Sequence, residues 1–176
     1  DSYQSGHVMK KLILFLLLIP SLSFGLSDAY KSRIHAETLF LLSGKPIIYT
    51  WGAADARGLK ADCSGYVYSV FKYCGLPVKR TTSLRMSMGL DTWSSLPIKL
   101  DDVEETDLIF FSWVQSAKTR PNGHVGFLIE AHRSNLLEVT HASASKKQVI
   151  VQQYNPYLLR STTAIRRLTF GVKNGK

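Results

Sequence analysis

The 176-residue chain has little cysteine, only Cys63 and Cys74, and few acidic residues, 13 Asp and Glu against 22 Lys and Arg. Two cysteines allow one disulfide at most. The shortage of acid leaves a formal net charge of +9, which favours an anionic partner such as nucleic acid, a membrane surface or an acidic polymer. The basic residues are scattered, however, with only short pairs such as Lys146–Lys147 and Arg166–Arg167. Without a basic stripe interleaved with aromatics, nucleic-acid binding is not expected. Internal repeats and low-complexity segments are lacking, and so are the short-spaced Cys or His pairs that mark zinc sites. The one continuous apolar run, Leu12 to Ile19, is too short to span a bilayer comfortably.

What is present reads as one ordinary domain. Apolar residues make up 45% and charged residues 20% of the chain, enough for a packed core. Met9-Lys10-Lys11, the apolar run, Pro20 and the small residues around Ser23 and Gly25 have the layout of a secretory signal peptide over residues 9–25. Residues 1–8 precede Met9, the expected start, and are set aside as vector-derived sequence or an upstream extension of the gene start. Residues 26–176 are expected to form a single exported domain, periplasmic or secreted. No cysteine lies near the cleavage site, which argues against a lipid anchor, and no stable membrane insertion is expected after cleavage. A monomer is expected.

Residues Ser27 to Leu42 carry apolar residues at helical spacing, stopped by Gly44-Lys45-Pro46. A second helix is predicted from Cys63 to Gly75, with Pro77 beyond it, and a short one over Ser83 to Met88. On the second helix Cys63 and Cys74 would stand roughly 16 Å apart, too far for a disulfide. Ile47 to Trp51 is short and β-prone. After Asp101 the texture changes to strands at Leu108–Trp113, His124–Glu130, Leu136–Ala142, Gln148–Gln152 and Ala164–Phe170. Helices first and strands afterwards predict an α+β fold, helices packed on an antiparallel sheet of about five strands.

Asp62-Cys63-Ser64-Gly65 opens the second helix. A thiol at a helix N-terminus is expected to have its thiolate stabilised and its pKa lowered. Asp62 is a natural cap, and Ser64 and Gly65 are small enough to leave the sulfur accessible. Among the five histidines, His7 lies in the leader, His35 on the first helix and His132 between strands. His124 and His141 sit at strand positions beside small residues, in Gly123-His124-Val125-Gly126 and Thr140-His141-Ala142-Ser143. On adjacent antiparallel strands their rings can meet, His124 as base to the thiol and His141 as its orienter. Each histidine taken alone is as readily a satisfied core residue.

Six segments in order, Tyr49-Thr50-Trp51-Gly52, Asp62-Cys63-Ser64-Gly65, Arg80-Thr81-Thr82-Ser83, Asp107-Leu108-Ile109-Phe110-Phe111, Gly123-His124-Val125-Gly126 and His141-Ala142-Ser143, resemble the NlpC family of papain-like cell-wall cysteine peptidases. The resemblance covers roughly residues 45 to 145. It implies a papain-like fold with Cys63 as nucleophile, His124 as general base and His141 as the residue orienting it. It also implies that the Tyr49 hydroxyl helps bind the oxyanion beside the Cys63 amide. Asp62 and Ser64 match positions that in some members recognise the free amine of a stem peptide, and Arg80 matches a loop near the cleft. The implied reaction is hydrolysis of the γ-D-glutamyl–diamino acid bond of peptidoglycan stem peptides, with no cofactor or metal.

The sequence departs from the family pattern in several places. Glu105-Thr106 stands where Pro-Gly is common, and Ala53 replaces a second glycine after Trp51. Ser112 to Asn122 reads as a long basic connection that could wall the cleft, and Ala131 to Asn135 lengthens a hairpin. Three other readings use the same residues: an amidase or acyltransferase on the same scaffold, a zinc protein with Cys63, His124 and His141 as ligands, and a non-catalytic envelope-binding module.

Overall fold

The computed structural model describes residues 25–115, 118–130, 137–153 and 160–170. Most of the predicted signal peptide, His132 and the Ala131 to Asn135 connection lie outside these residues. In chain order the elements are α1 (Asp28–Ser43), β1 (Ile48–Tyr49), β2 (Ala54–Asp55), β3 (Lys60–Ala61), α2 (Cys63–Tyr73) and α3 (Ser83–Ser87). There follow β4 (Ser95–Pro97), β5 (Leu108–Gln115), β6 (Lys118–Glu130), β7 (Leu137–Ser143), β8 (Gln148–Gln153) and β9 (Thr162–Leu168). No helix among the described residues is long and apolar enough to cross a membrane.

The three helices and the five long strands stand close to where the apolar spacing and the Gly and Pro punctuation put them. The expectation of about five antiparallel strands needs correction. Among the described residues nine strands form one sheet, in the order β2-β3-β1-β8-β7-β6-β5-β9-β4. The sheet is mixed, because β1 runs parallel to β3, with Tyr49 opposite Ala61. The added strands, β1 to β4, are two or three residues long, too short to display the alternation by which a strand is recognised.

The basic connection after Ser112 is also corrected. It is largely a β arm, in which Trp113 pairs with Arg120, Val114 with Thr119 and Gln115 with Lys118. Pro121-Asn122-Gly123 looks like a loop signal, yet it forms an irregularity inside the paired strands. The register slips between Phe111 and Trp113, and Asn122 takes a φ of 55°. Bulges of this kind bend a strand and re-aim its side chains, here directly before His124.

Helix α2 lies against the middle of the sheet because its apolar residues recur at helical spacing. Tyr66, Val67, Val70 and Phe71 are all 0% exposed. Tyr66 stacks on Phe127 of β6 with ring centroids 5.7 Å apart, and its hydroxyl pairs with Thr140 Oγ1 of β7 at 2.9 Å. Phe71 meets Phe127 edge-on at 5.4 Å. Full burial of each such ring is worth about 2–3 kcal/mol. The helix also sits hard against the preceding loop: a Cβ at Gly65 would come within 2.0 Å of the Ala53 carbonyl oxygen. Glycine is required there for packing rather than to expose the sulfur. Gly126 serves the same purpose between strands, since a Cβ would fall 2.7 Å from Thr140 O and 2.9 Å from His141 Cβ.

Polar ties fasten the turn that enters β5. Thr106 adopts a φ of 72°, a backbone that suits glycine and strains a β-branched residue. The replacement of Pro-Gly by Glu105-Thr106 therefore leaves a glycine-like turn in place. Thr106 donates its amide to Leu128 O at 2.8 Å. The buried Asp107 carboxylate accepts from Glu104 N and from Nε and Nη2 of Arg167, each at 2.9 Å. Asp107, although in one of the six segments, is thus a structural clamp. From α1, Lys31 reaches Glu104 at 2.8 Å and His35 reaches Glu105 at 2.5 Å.

Candidate functional site

Cys63 is the first residue of α2, with Asp62 as its N-cap. The sulfur faces β6: backbone amides of Val125 and Ser64 are within hydrogen-bonding reach of it. Both cysteines are free and buried. The accessible, acidified thiol expected from a helix start is not what folds. Cys63 is 5% exposed, and burial, followed by the charge of Asp62, pushes its thiol up to about 11. The Val125 and Ser64 amides and Arg80 act in the opposite direction and do not overcome desolvation.

His124 and His141 meet. Nε2 of His124 lies 2.7 Å from Nδ1 of His141, and the rings stand edge to face, 4.8 Å between centroids. The ring of Phe111 on β5 covers the pair, 5.9 Å from His124 and 6.5 Å from His141. Burial lowers the His124 pKa to about 3, with a smaller contribution from His141. Burial also lowers that of His141. Near neutral pH the resting site therefore holds a thiol and two neutral imidazoles.

Tyr49 arrives from the far side of the sheet's centre. The parallel β1–β3 pairing sets it beside Ala61, two residues before Cys63. Its hydroxyl is buried and has no hydrogen-bond partner. Burial first, then the neighbouring Cys63 and Asp62, push its pKa up to about 12. The phenol stays protonated, as a hydrogen-bond donor must.

Asp62, Ser64 and Arg80 form one cluster. The Asp62 carboxylate accepts from Gly65 N at 2.6 Å, Gly52 N at 2.9 Å and Ser64 Oγ at 3.2 Å. Arg80 Nη2 donates to its two oxygens at 2.8 and 2.7 Å, while Nη1 donates to Ser64 Oγ at 2.6 Å. A carboxylate offers about four lone-pair sites, and here they are filled by protein donors. An amine could reach Asp62 only by displacing one of them.

Of the residues proposed for the site, Asp62, Ser64 and Arg80 form one cluster at the start of α2, and Tyr49 lies near Cys63. His124 and His141 pair with each other on β6 and β7, next to the Val125 amide that reaches the sulfur. His35 is elsewhere, on α1 against Glu105. The Val125 amide and the covering ring of Phe111 were not anticipated. Phe111 could have been found from its place in the same motif as Asp107; a backbone amide leaves no sequence signal. A groove of about 600 Å³ lined by Glu37, Phe40, Leu41 and Arg57 contains none of these residues. Among the described residues no group of three His, Cys, Asp or Glu side chains is arranged to hold a metal.

Comparison with known proteins agrees with this architecture. A model of the NlpC/P60 family matches residues 44–167, and the chain belongs to that family. A gamma-D-glutamyl-L-lysine dipeptidyl-peptidase of Bacillus subtilis is 34% identical over 65 residues, which is 37% of this chain and 19% of that protein. The fold is shared with a crystal structure from Staphylococcus aureus described as similar to lipoprotein, NLP/P60 family. Its TM-score is 0.62 at 19% identity, over 91% of this chain and 48% of that one. An NlpC/P60 family protein from Bacillus cereus gives a TM-score of 0.57 at 17% identity, over 79% of this chain and 40% of that one. The chain thus spans under half of each solved structure and about a fifth of the curated relative.

Proposed function

We propose that the protein is an exported cysteine peptidase that hydrolyses peptidoglycan stem peptides at the γ-D-glutamyl–diamino acid bond. The observation that carries the chemistry is the partly buried contact of His124 with His141, 2.7 Å between nitrogens, on the strand whose Val125 amide lies within reach of the thiol. The choice of bond draws on the name of the Bacillus subtilis relative. Export to the periplasm or beyond rests on the leader-like residues 9–25.

In this reading Nδ1 of His124 takes the proton of Cys63 as the sulfur attacks the carbonyl carbon, so charge separates only when substrate is present. The oxygen of the tetrahedral intermediate receives hydrogen bonds from the Tyr49 hydroxyl and the Cys63 amide. The C–N bond then breaks, the departing amine takes the proton from His124, and a thioester remains on Cys63. Water, deprotonated by His124, attacks that thioester; the acid leaves and the thiol is restored. Asp62, Ser64 and Arg80 contact the substrate as one hydrogen-bonded unit, in which the saturated carboxylate accepts a substrate amine only in exchange for one of its protein donors.

The test is mass spectrometry of fragments from digested sacculi and from a synthetic stem peptide. The active protein releases products cut after γ-D-glutamate, and Cys63→Ala, which removes only the sulfur, releases none while keeping its fold. Fragments with intact stem peptides, such as amine or lipid conjugates, would replace the peptidase by an amidase or acyltransferase. Turnover unchanged in Cys63→Ala would remove the cysteine from the mechanism.

A further inference from the structure

The bond between the two histidines imposes a condition one strand further on. Two ring nitrogens 2.7 Å apart need one donor and one acceptor. With Nδ1 of His124 acting on the thiol, its Nε2 carries the proton and donates to Nδ1 of His141. His141 must then bear its own proton on Nε2. That nitrogen is buried without a hydrogen-bond partner, on a side chain only 8% exposed. Buried donors are rarely left unmatched in folded proteins.

Strand β8 has the acceptor. The β7–β8 register sets Val139 opposite Gln152 and His141 opposite Ile150. His141 and Gln152 therefore occupy diagonal positions on one face, a separation that a long side chain can bridge. Gln152 is half-buried, and its side chain favours the protonated ring of His141 against the opposing effect of burial. From the other strands, the groups found facing His141 are the imidazole of His124 on β6 and the ring of Phe111 on β5.

We propose that Gln152 is a positioning residue: its Oε1 accepts from Nε2–H of His141 and thereby reserves Nδ1 of His124 for the thiol. The inference rests on the proposed role of His124 as base. One proton moves, from Sγ of Cys63 to Nδ1 of His124. The two protons further along, on Nε2 of His124 and on Nε2 of His141, stay where they are, and their hydrogen bonds tighten as the imidazolium forms. Gln152 fixes a tautomer and neither gains nor loses a proton.

The test uses the full chain with Gln152→Leu, which keeps the bulk and removes the acceptor, and Gln152→Glu, which strengthens it. Imidazole nitrogen-15 NMR of the resting protein should show His141 as a single Nε2–H tautomer, and as a mixture in Gln152→Leu. Iodoacetamide labelling of the Cys63 peptide, followed against pH, should slow about tenfold at neutral pH in Gln152→Leu. In Gln152→Glu the acid limb of the same profile should move upward by about one pH unit. On stem peptides Gln152→Leu should lower kcat about tenfold and leave KM unchanged. Identical tautomers and identical labelling profiles in all three proteins would overturn the proposal, and if Gln152→Leu does not fold, Gln152→Glu decides by the same profile. Because tautomer and labelling need no peptide, failure to cut stem peptides would count against the proposed function alone.

Discussion

Two polar clusters meet at Cys63, and they are built on opposite terms. Behind the thiol, Asp62 pairs with Arg80 and is saturated, with five hydrogen bonds from four donor groups converging on one carboxylate. In front of it, Tyr49, His124 and His141 are neutral, and two of their atoms, the Tyr49 hydroxyl and Nε2 of His141, are buried with no partner. Unmatched buried groups cost about 1–3 kcal/mol each. The saturated cluster repays its burial in the resting fold and is architecture. The other cluster is matched differently: in the proposed mechanism the Tyr49 hydroxyl finds its acceptor in the developing oxyanion, and Nε2 of His141 finds its own in Gln152.

Variants can break that contrast. The largest effect is expected for His124→Ala, which should lower turnover of a stem peptide on the order of ten-thousand-fold or more, with the circular dichroism spectrum retained. Asp62→Ala should act on stability instead: it removes the cap of α2 and strands Arg80, at a cost of about 3 kcal/mol in urea unfolding. The molecules that still fold should keep their kcat but show a raised KM, because Arg80 and Ser64 lose the partner that orders them. Tyr49→Phe should separate the two quantities most cleanly, cutting kcat about 10- to 100-fold while stability holds or rises slightly. If Tyr49→Phe were instead destabilised with normal kcat, the hydroxyl would belong with the architecture.

Acid should give the most gradual effect. The pKa of His124 falls from 6.5 in the unfolded chain to about 3 in the fold, and that of His141 falls as well. Between these limits the unfolded state binds more protons than the native one, so stability increases with pH. It should be fully present above about pH 6.5 and be lost progressively as pH drops toward 3. His141→Asn should flatten this slope in unfolding measured at several pH values. A slope unchanged by that substitution would mean that the histidines are not the groups responsible.

Much of the site could be read in the sequence, for identifiable reasons. Asp62-Cys63-Ser64-Gly65 before an apolar helix, and two histidines flanked by small residues on strands, are local patterns, and local patterns survive in a linear text. Gly65 and Gly126 also carry the close approaches that bring α2 and β7 in. What was not legible depends on atoms far apart in the chain. The thiol was expected to be exposed and acidified because a helix dipole is visible in sequence, whereas the burial that reverses its effect is not. The two bonds from Arg80 to Asp62 follow from a loop folding back over the cap. The β5–β6 arm was concealed by Pro121-Asn122-Gly123, whose turn chemistry is used within a pair of strands.

The two-residue strand β1 has a consequence for how the molecule comes into being. Tyr49 is held to Cys63's segment through β3, while its neighbour Ile48 pairs with Gln148 near the other end of the fold. Tyr49, Cys63, His124 and His141 therefore cannot converge until chain segments from the whole domain have closed upon one another. Such non-local pairing is slow, since loop entropy is lost before contacts compensate for it. On the proposed mechanism, a chain still being completed has a cysteine and no base, and its reactive centre forms only once these distant segments have closed.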